Sequence, residues 1–526
     1  MQLAFGWVDA KMKKLLLMLI LLLLVGSVSA TDWYVDNAVS VNGNGQSWSN
    51  AWKNLSSINW SVLQPGDTVY ISGGSTEKVY DEQLNIMKSG SPNNRIKITK
   101  GVDEGHNGKV VIKQIRIWNQ KHLEVSNLYV INDNASMVGV YVVGRVAGGV
   151  KDVIIKNNYI NVASGGIHIS GYNPYYYTDQ VDDVHIINNT LIIDVVNNAQ
   201  TDGLYTHYVQ NLYIEDNYFN IYNNNTRHND LIQTANHVTN ITIARNILIH
   251  RSRRSAIVGN ADNGLMMTGL DGVVNIHNNV IARPYDDGRL GIAVYVAGGY
   301  NSCGINATMP NGSLYCLMFT PLIYFYNNIV ITDSSGNAVT IVATNRGVSE
   351  RVDPNSKIKN NIFFCERCNS TVSISFLINP ENINHNIYDV GSEWILNYNG
   401  GKTLEQLRVL GVEMNGSWTN VTFINKELFD YRLASNSRGI DEGVDLGINY
   451  NKALNNVSRP QGAAWDIGAF EYVSGSTQYH PADLNQNGCV ELGEISVYVG
   501  LWLNNQGVSL SEASSAVSVW LSGCYL

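Results

Sequence analysis

The chain is predicted to fold as a right-handed parallel β-helix, an all-β solenoid of stacked strands, with a small α-helical module at its C-terminus. The first observation behind this is a recurring phrase. It reads IIKNNYI (154–160), IINNTLI (186–192), YIEDNYF (213–219), TIARNIL (242–248), NIHNNVI (275–281), YFYNNIV (324–330) and KIKNNIF (357–363), with a weaker copy VSNLYV (125–130) and a late one NHNIYDV (384–390). The shared Asn falls at Asn127, Asn158, Asn189, Asn217, Asn246, Asn279, Asn328, Asn361 and Asn386, in steps of 31, 31, 28, 29, 33, 49, 33 and 25 residues. Self-similarity at such a period marks a solenoid with one rung per repeat. The second observation is the chemistry of the phrase. Val, Ile, Tyr and Phe suit strands, and Asn tolerates a left-handed backbone, so it turns a corner in one or two residues. Rungs stacked about 4.8 Å apart would let these Asn side chains hydrogen-bond as a ladder. The third is composition. Charged residues make up 15%, against roughly 25% in ordinary soluble domains, as a stacked sheet interior requires. The net charge of −9 speaks against a nucleic-acid partner, which needs a basic stripe.

Residues 1–30 read as a signal peptide. Lys11, Lys13 and Lys14 precede the apolar run Leu15–Val25, and Val28-Ser29-Ala30 is a small-residue cleavage site, the layout of a secretory leader; an uncleaved anchor is the alternative. Secretion fits the N-x-S/T sequons at Asn54, Asn134, Asn240, Asn306 and Asn415, which are glycosylation acceptors. It also fits the six cysteines, which lie as neighbours Cys303 and Cys316, Cys365 and Cys368, and Cys489 and Cys524; in an exported chain each pair is a candidate disulfide.

Residues 31–120 read as an N-terminal cap and first rungs. Trp33–Val35 opens a strand, Trp52–Leu63 contains a short helix, and Pro65–Ile71 is a turn followed by a strand. Such a segment covers the apolar end that a solenoid must hide. Residues 121–472 hold the rungs and a closing segment with Arg432-Leu433-Ala434-Ser435, Gly439-Ile440-Asp441 and Trp465–Tyr472. With this cap and closing pattern, 31–472 resembles the secreted pectate-lyase-like right-handed β-helix superfamily. The resemblance implies a fold but no single reaction, since the superfamily includes lyases, hydrolases, epimerases and members without activity.

Residues 473–479 form a Gly/Ser/Thr linker. Beyond it, 480–526 carries Asp483-x-Asn485-x-Asn487-Gly488, then Glu494 six residues after Gly488, the spacing of an EF-hand loop. Asp483, Asn485 and Asn487 would give Ca²⁺ side-chain oxygens, Cys489 a carbonyl, Glu491 a water-mediated contact and Glu494 a bidentate carboxylate. Two amphipathic helices follow, one with Ile495, Val499 and Trp502 and one with Ala513, Val517 and Trp520, the second opened by the capping box Ser509-x-x-Glu512. One calcium loop with short helices resembles a dockerin, which implies a cohesin-like partner. The second loop, 504–508, lacks an acidic residue, and the last ligand is Glu where dockerins have Asp.

Candidate chemistry lies on the strands that follow the variable loops. Aligning 166–168, 202–205, 230–233, 256–258 and 293–295 points Ile167, Leu204, Ile232, Ile257 and Val294 inward. It points His168, Tyr205, Gln233, Val258 and Tyr295 outward as one column, with His207 on the same face. Tyr175 and Tyr176 in the preceding loop can wall this groove, since Tyr offers sugars a flat ring. Asp202 and Asp230 share a phase on successive rungs. They read as a Ca²⁺ site or a carboxylate pair, with turn capping as the plain alternative. Arg227, His228, Arg253 and Arg254 crowd nearby loops. Abstracting a proton beside a uronate carboxylate needs that charge neutralised by Arg or Ca²⁺ and a base such as His or Tyr, so Tyr205, His207, His228, Arg227, Arg253 and Arg254 are the catalytic candidates. Full acid sets of the galacturonase kind and the DPHD pattern of mannuronan epimerases are absent. The expectation is a secreted lyase acting on an acidic polysaccharide. The alternatives are a non-catalytic adhesin or structural protein, or a glycoside hydrolase or epimerase on the same fold.

Overall fold

A computed structural model describes residues 30–171, 180–195, 201–223, 229–252, 263–283, 294–298, 307–308, 314–315, 320–332, 339–341, 352–365, 372–374, 378–398, 400–426, 429–474, 480, 482–483, 489–490, 492–503, 508 and 510–522. The leader 1–29, most of the linker, and Cys303, Cys316, Cys368 and Cys524 lie outside them.

The alternation of β-branched and polar residues folds into a parallel β-solenoid with three faces. Sheet 1 contains Gln114–Trp118, Val140–Gly144, Ile167–Gly171, 204–207, 230–235, 263–268 and Val294–Gly298. Sheet 2 contains Lys121–Ser126, Val150–Lys156, Val181–Ile187 and the later strands in register with them. Sheets 1 and 2 are continuous because Leu204–Glu215, Asp230–Ala244 and Asn263–His277 each run through the corner between them. Tyr208, His237 and Gly269 take left-handed backbone there. Sheet 3 stacks twelve strands from Glu77–Val79 to Ser417–Trp418. The interior is a continuous apolar stack in which Ile167, Leu204, Ile232, Leu265 and Val294 are each at most 1% exposed. Leu265 fills the rung assigned to Ile257 above. The strand in that place is 263–268, while 256–258 lies outside the described residues.

The Asn phrase sits at the corner between sheets 2 and 3, and its two positions do different work. The first is left-handed, with φ between 50° and 59° at Asn157, Asn188, Asn278, Asn327 and Asn360, and Asp216, Arg245 and His385 adopt the same conformation. The second is buried and forms the ladder. The side-chain amide of Asn158 donates to Asn189 at 3.1 Å, and the pattern repeats through Asn217, Asn246, Asn279, Asn328, Asn361 and Asn386. Asn127 is a correction to the sequence alignment. Its φ of 59° and the pairing of Tyr129 with Tyr159 make it a first-position residue. Leu128 holds the ladder place and offers only its backbone N–H, to Asn158 Oδ1 at 3.0 Å. The far end stops on Glu413, whose carboxyl accepts from Asn386 Nδ2 at 2.6 Å and the Tyr388 hydroxyl at 2.8 Å. Burial raises the Glu413 carboxyl to about 7, against the lowering effect of those hydrogen bonds.

At the N-terminal end Trp33 stacks on Trp52 at 5.3 Å, and Leu55, Ile58 and Leu63 are buried against the first rungs. The closing segment crosses the Asn corner. Arg459, fully buried, pairs with Glu471 at 2.9 Å and donates to Asn278. The outer face of sheet 3 is apolar, and 421–470 together with the C-terminal helices Leu492–Leu503 and Leu510–Ser522 cover it. Ile495, Ala513 and Ala516 are buried in that contact, with Val499, Trp502, Val517 and Trp520 at its edge. A methyl group added at Gly493 would meet Thr190 Oγ1 at 2.3 Å, so helix backbone rests directly on sheet 3.

Candidate functional site

Strand register places the outward column of sheet 1 in one line. Tyr141, His168, Tyr205, Gln233, Met266 and Tyr295 are successive Cα partners, with Met266 in the place given to Val258 above. His207 partners Ser170 and Ala235 one column over. His168, Tyr205 and His207 therefore form one cluster. Tyr205 meets His168 edge-on at 5.2 Å, His207 lies 5.8 Å from His168 between ring centroids, and Tyr141 closes the other side of His168 at 5.2 Å. The Tyr205 hydroxyl is 3.5 Å from His207 Nδ1.

Burial sets the protonation states. It lowers His168, and it lowers His207 to about 4 with help from the neighbouring His168 charge. It raises the Tyr205 phenol, as does the charge of Asp202. At neutral pH the cluster thus holds two uncharged imidazoles and a protonated phenol. His168 Nε2 is shielded from water and has no hydrogen-bond partner among the described residues, and an unspent buried polar atom calls for a functional account.

Asp202 and Asp230 share a phase on adjacent rungs, and both are buried. Asp202 Oδ1 accepts the backbone N–H of Asp230 at 2.9 Å, so one carboxylate oxygen caps the next rung. Calcium takes six to eight oxygens. Among the described residues no group of three or more His, Cys, Asp or Glu is placed to hold a metal. The pair alone supplies fewer oxygens than the ion takes. In the C-terminal loop Asp483 and Glu494 are buried, while Asn485, Asn487 and Glu491 lie outside the described residues. Glu494 is close enough to Tyr218 of sheet 3 for its charge to raise the buried phenol, whose shift to about 12 comes first from burial. Cys365 and Cys489 are each disulfide-bonded. Arg227, His228, Arg253, Arg254, Tyr175 and Tyr176 lie outside the described residues. In the basic run that begins at His250, the first two side chains are buried; Arg251 lies over the Phe429 ring at 4.4 Å.

The column begins at least two rungs before His168, earlier than the sequence pattern indicates. Arg116 and Tyr141 continue the same column toward the N-terminus, and Trp118 lies two residues beyond Arg116 on the same face. Arg145 lies over Trp118 with its guanidinium 4.3 Å from the ring centroid. The alternation of Gln114–Trp118, with Ile115 and Ile117 buried, is the signal that would have found them.

No protein family profile matches the chain, and no curated protein matches it. Among solved structures the chain is similar to pectate lyase Pel9A, at 15% identity over 85% of this chain and 97% of that one, with a TM-score of 0.41. It is similar to the GH136 lacto-N-biosidase from Eubacterium ramulus at 14% identity, 70% and 65% coverage and a TM-score of 0.41. It is also similar to a rhamnogalacturonan lyase at 14% identity, 63% and 87% coverage and a TM-score of 0.35. None superposes closely enough to transfer a residue role.

Proposed function

We propose that the protein is exported and acts on an acidic polysaccharide lying along sheet 1, cleaving it by β-elimination. The observation that carries this is the cluster of His207, Tyr205 and His168, two neutral imidazoles and a protonated phenol on an outward sheet face. Elimination needs a base and an acid in those states at neutral pH. If His207 Nδ1–H donates to the Tyr205 oxygen, His207 Nε2 keeps a lone pair and the phenol keeps its proton. Nε2 then takes the proton from C5 of a uronate ring. The C5–H electron pair forms the C4–C5 double bond, the C4–O bond breaks, and Tyr205 protonates the leaving oxygen. An anionic substrate raises the affinity of His207 for the proton it receives. His168, Gln233 and Tyr295 would line the path of the chain, with Tyr175 and Tyr176 as a wall. Arg227, Arg253 or Arg254 would neutralise the uronate carboxylate, and His228 is the reserve base. Asp483, Asn485, Asn487, Cys489, Glu491 and Glu494 would hold Ca²⁺ in the C-terminal loop. The apolar faces of the two helices join the cluster that covers sheet 3, so the tail supports the solenoid in this reading, and a cohesin-like partner has no part in it.

A binding protein without catalysis is the second reading. It is favoured by the position of Arg116, two rungs from His168 and away from His207. Ultraviolet absorbance of unsaturated uronate ends, followed on pectate and alginate with and without a calcium chelator, separates the two. A rise that Tyr205→Phe abolishes supports the lyase. Retention of the polymer with no rise and no new reducing ends moves the assignment to binding.

A further inference from the structure

Arg116 differs from the arginines that are ion-paired. Arg95 pairs with Asp152, Arg245 with Asp216 and Glu215, Arg432 with Asp430, Arg438 with Glu442, and Arg459 with Glu471. Arg116 has no carboxylate within ion-pair reach among the described residues. Its one hydrogen bond runs to a neutral acceptor, Gln83 Oε1, at 3.4 Å. Its guanidinium sits 5.9 Å from the Trp118 ring centroid and 6.0 Å from that of Tyr141, and its Cα partners on either side are Asn85 and Tyr141. Trp118 is 37% exposed. A guanidinium held by aromatic faces on a neutral, part-exposed strand keeps its fork geometry and its unspent charge, which is what planar recognition of a carboxylate requires.

We propose that Arg116, shelved on Trp118 and Tyr141, is a remote subsite for the carboxylate of a uronate ring, holding the polymer several sugars from the reacting bond. The inference rests on the reading of sheet 1 as the polysaccharide groove. Arg116 and Tyr205 are three rungs apart in one column, about 14 Å at the spacing of stacked strands. A short oligosaccharide bridges that distance and a disaccharide does not, so the subsite discriminates by length as well as by charge.

The test is isothermal titration of the mature chain and its Arg116→Gln variant with oligogalacturonate and oligomannuronate dimers and hexamers, with carboxyl-reduced and with sulfated neutral hexamers as controls. Arg116→Gln should bind the uronate hexamers ten- to a hundredfold more weakly, the range for a lost hydrogen bond to a charged group. It should leave the dimers and the carboxyl-reduced hexamer unchanged. An unchanged thermal midpoint shows that the effect is not one of folding. Equal hexamer affinity in both proteins overturns the subsite and leaves the groove standing. Affinity that depends on sulfate esters instead of carboxylates overturns it as well. Arg116-dependent hexamer binding without any turnover upholds the subsite and removes the lyase reading. A wild-type chain that binds no uronate oligomer overturns both.

Discussion

At the scale of single residues, the proposed chemistry turns on how burial shifts His207 and Tyr205. A free imidazole titrates near 6.5, whereas His207 is lowered to about 4. The acid limb of kcat/KM should therefore fall near pH 4, since that profile reports the free enzyme. His207→Ala and Tyr205→Phe should each lower turnover of the preferred polyuronate by about a hundredfold or more. A limb near 6.5, or a Tyr205→Phe enzyme of full activity, would remove these residues from the mechanism. Glu413 makes a separate prediction about stability. Its carboxyl lies near 7 in the folded chain, against 4.5 as its ordinary value. Between those values the native state keeps a proton that the unfolded state releases, so stability is highest below the lower value and declines as pH rises to about 7. The total decline is roughly 3 kcal/mol. Denaturant titrations across this range should show the slope in the wild type, and Glu413→Gln should remove Glu413's share of it whatever its absolute stability.

At the scale of the repeat, the two Asn positions answer differently to substitution. Asn246 donates to Ile214 O and Asn279 Oδ1, and its own oxygen accepts from Asn217 N and Nδ2. Asn246→Ala leaves several buried polar groups unpaired at about 1–3 kcal/mol each, so a loss of about 3–5 kcal/mol is expected by chemical denaturation. Asn188 is a left-handed residue at φ 50° whose half-buried side chain donates to Asn157 Oδ1 at 3.0 Å, and Asn188→Gly should lower stability by at most about 1 kcal/mol. The sequence displayed the period, the ladder and the inward column, because spacing alone encodes these. In VSNLYV the one Asn falls at the left-handed position and Leu128 takes the ladder place, which the sequence phase does not show. The sequence also did not show which stretch of a long, weakly patterned loop re-enters sheet 1. Ile257 and Leu265 both satisfy the alternation, and only strand pairing selects Leu265. Arg116 was missed for a related reason. Its rung precedes the first clear Asn pair, so nothing in the repeat marked that strand as part of the groove.

At the scale of the whole molecule, the C-terminal segment behaves as part of the wall. The sequence reads as a tail on a linker, since composition shows a Gly/Ser/Thr stretch and helix periodicity but not what the apolar helix faces cover. In the structure those faces join the apolar cluster over sheet 3, with Gly493 against Thr190 and Glu494 near Tyr218. Truncation after residue 474 should expose this surface, giving dye binding, a lower thermal midpoint and aggregation, where a freely tethered tail would be removed without effect. Gly493→Ala should loosen the same contact through its clash with Thr190, read as faster proteolysis of the tail in the full-length chain. The Asn ladder has a consequence at this scale too. Every side-chain amide passes a hydrogen bond in the same direction, toward the C-terminal rungs, and each Asn can both receive and pass on. Glu413 receives from Asn386 and has no side-chain amide to offer a further rung. The row of identical amides thus works as a directional relay closed by a terminator, so the length of the solenoid is written into the side-chain chemistry of one corner.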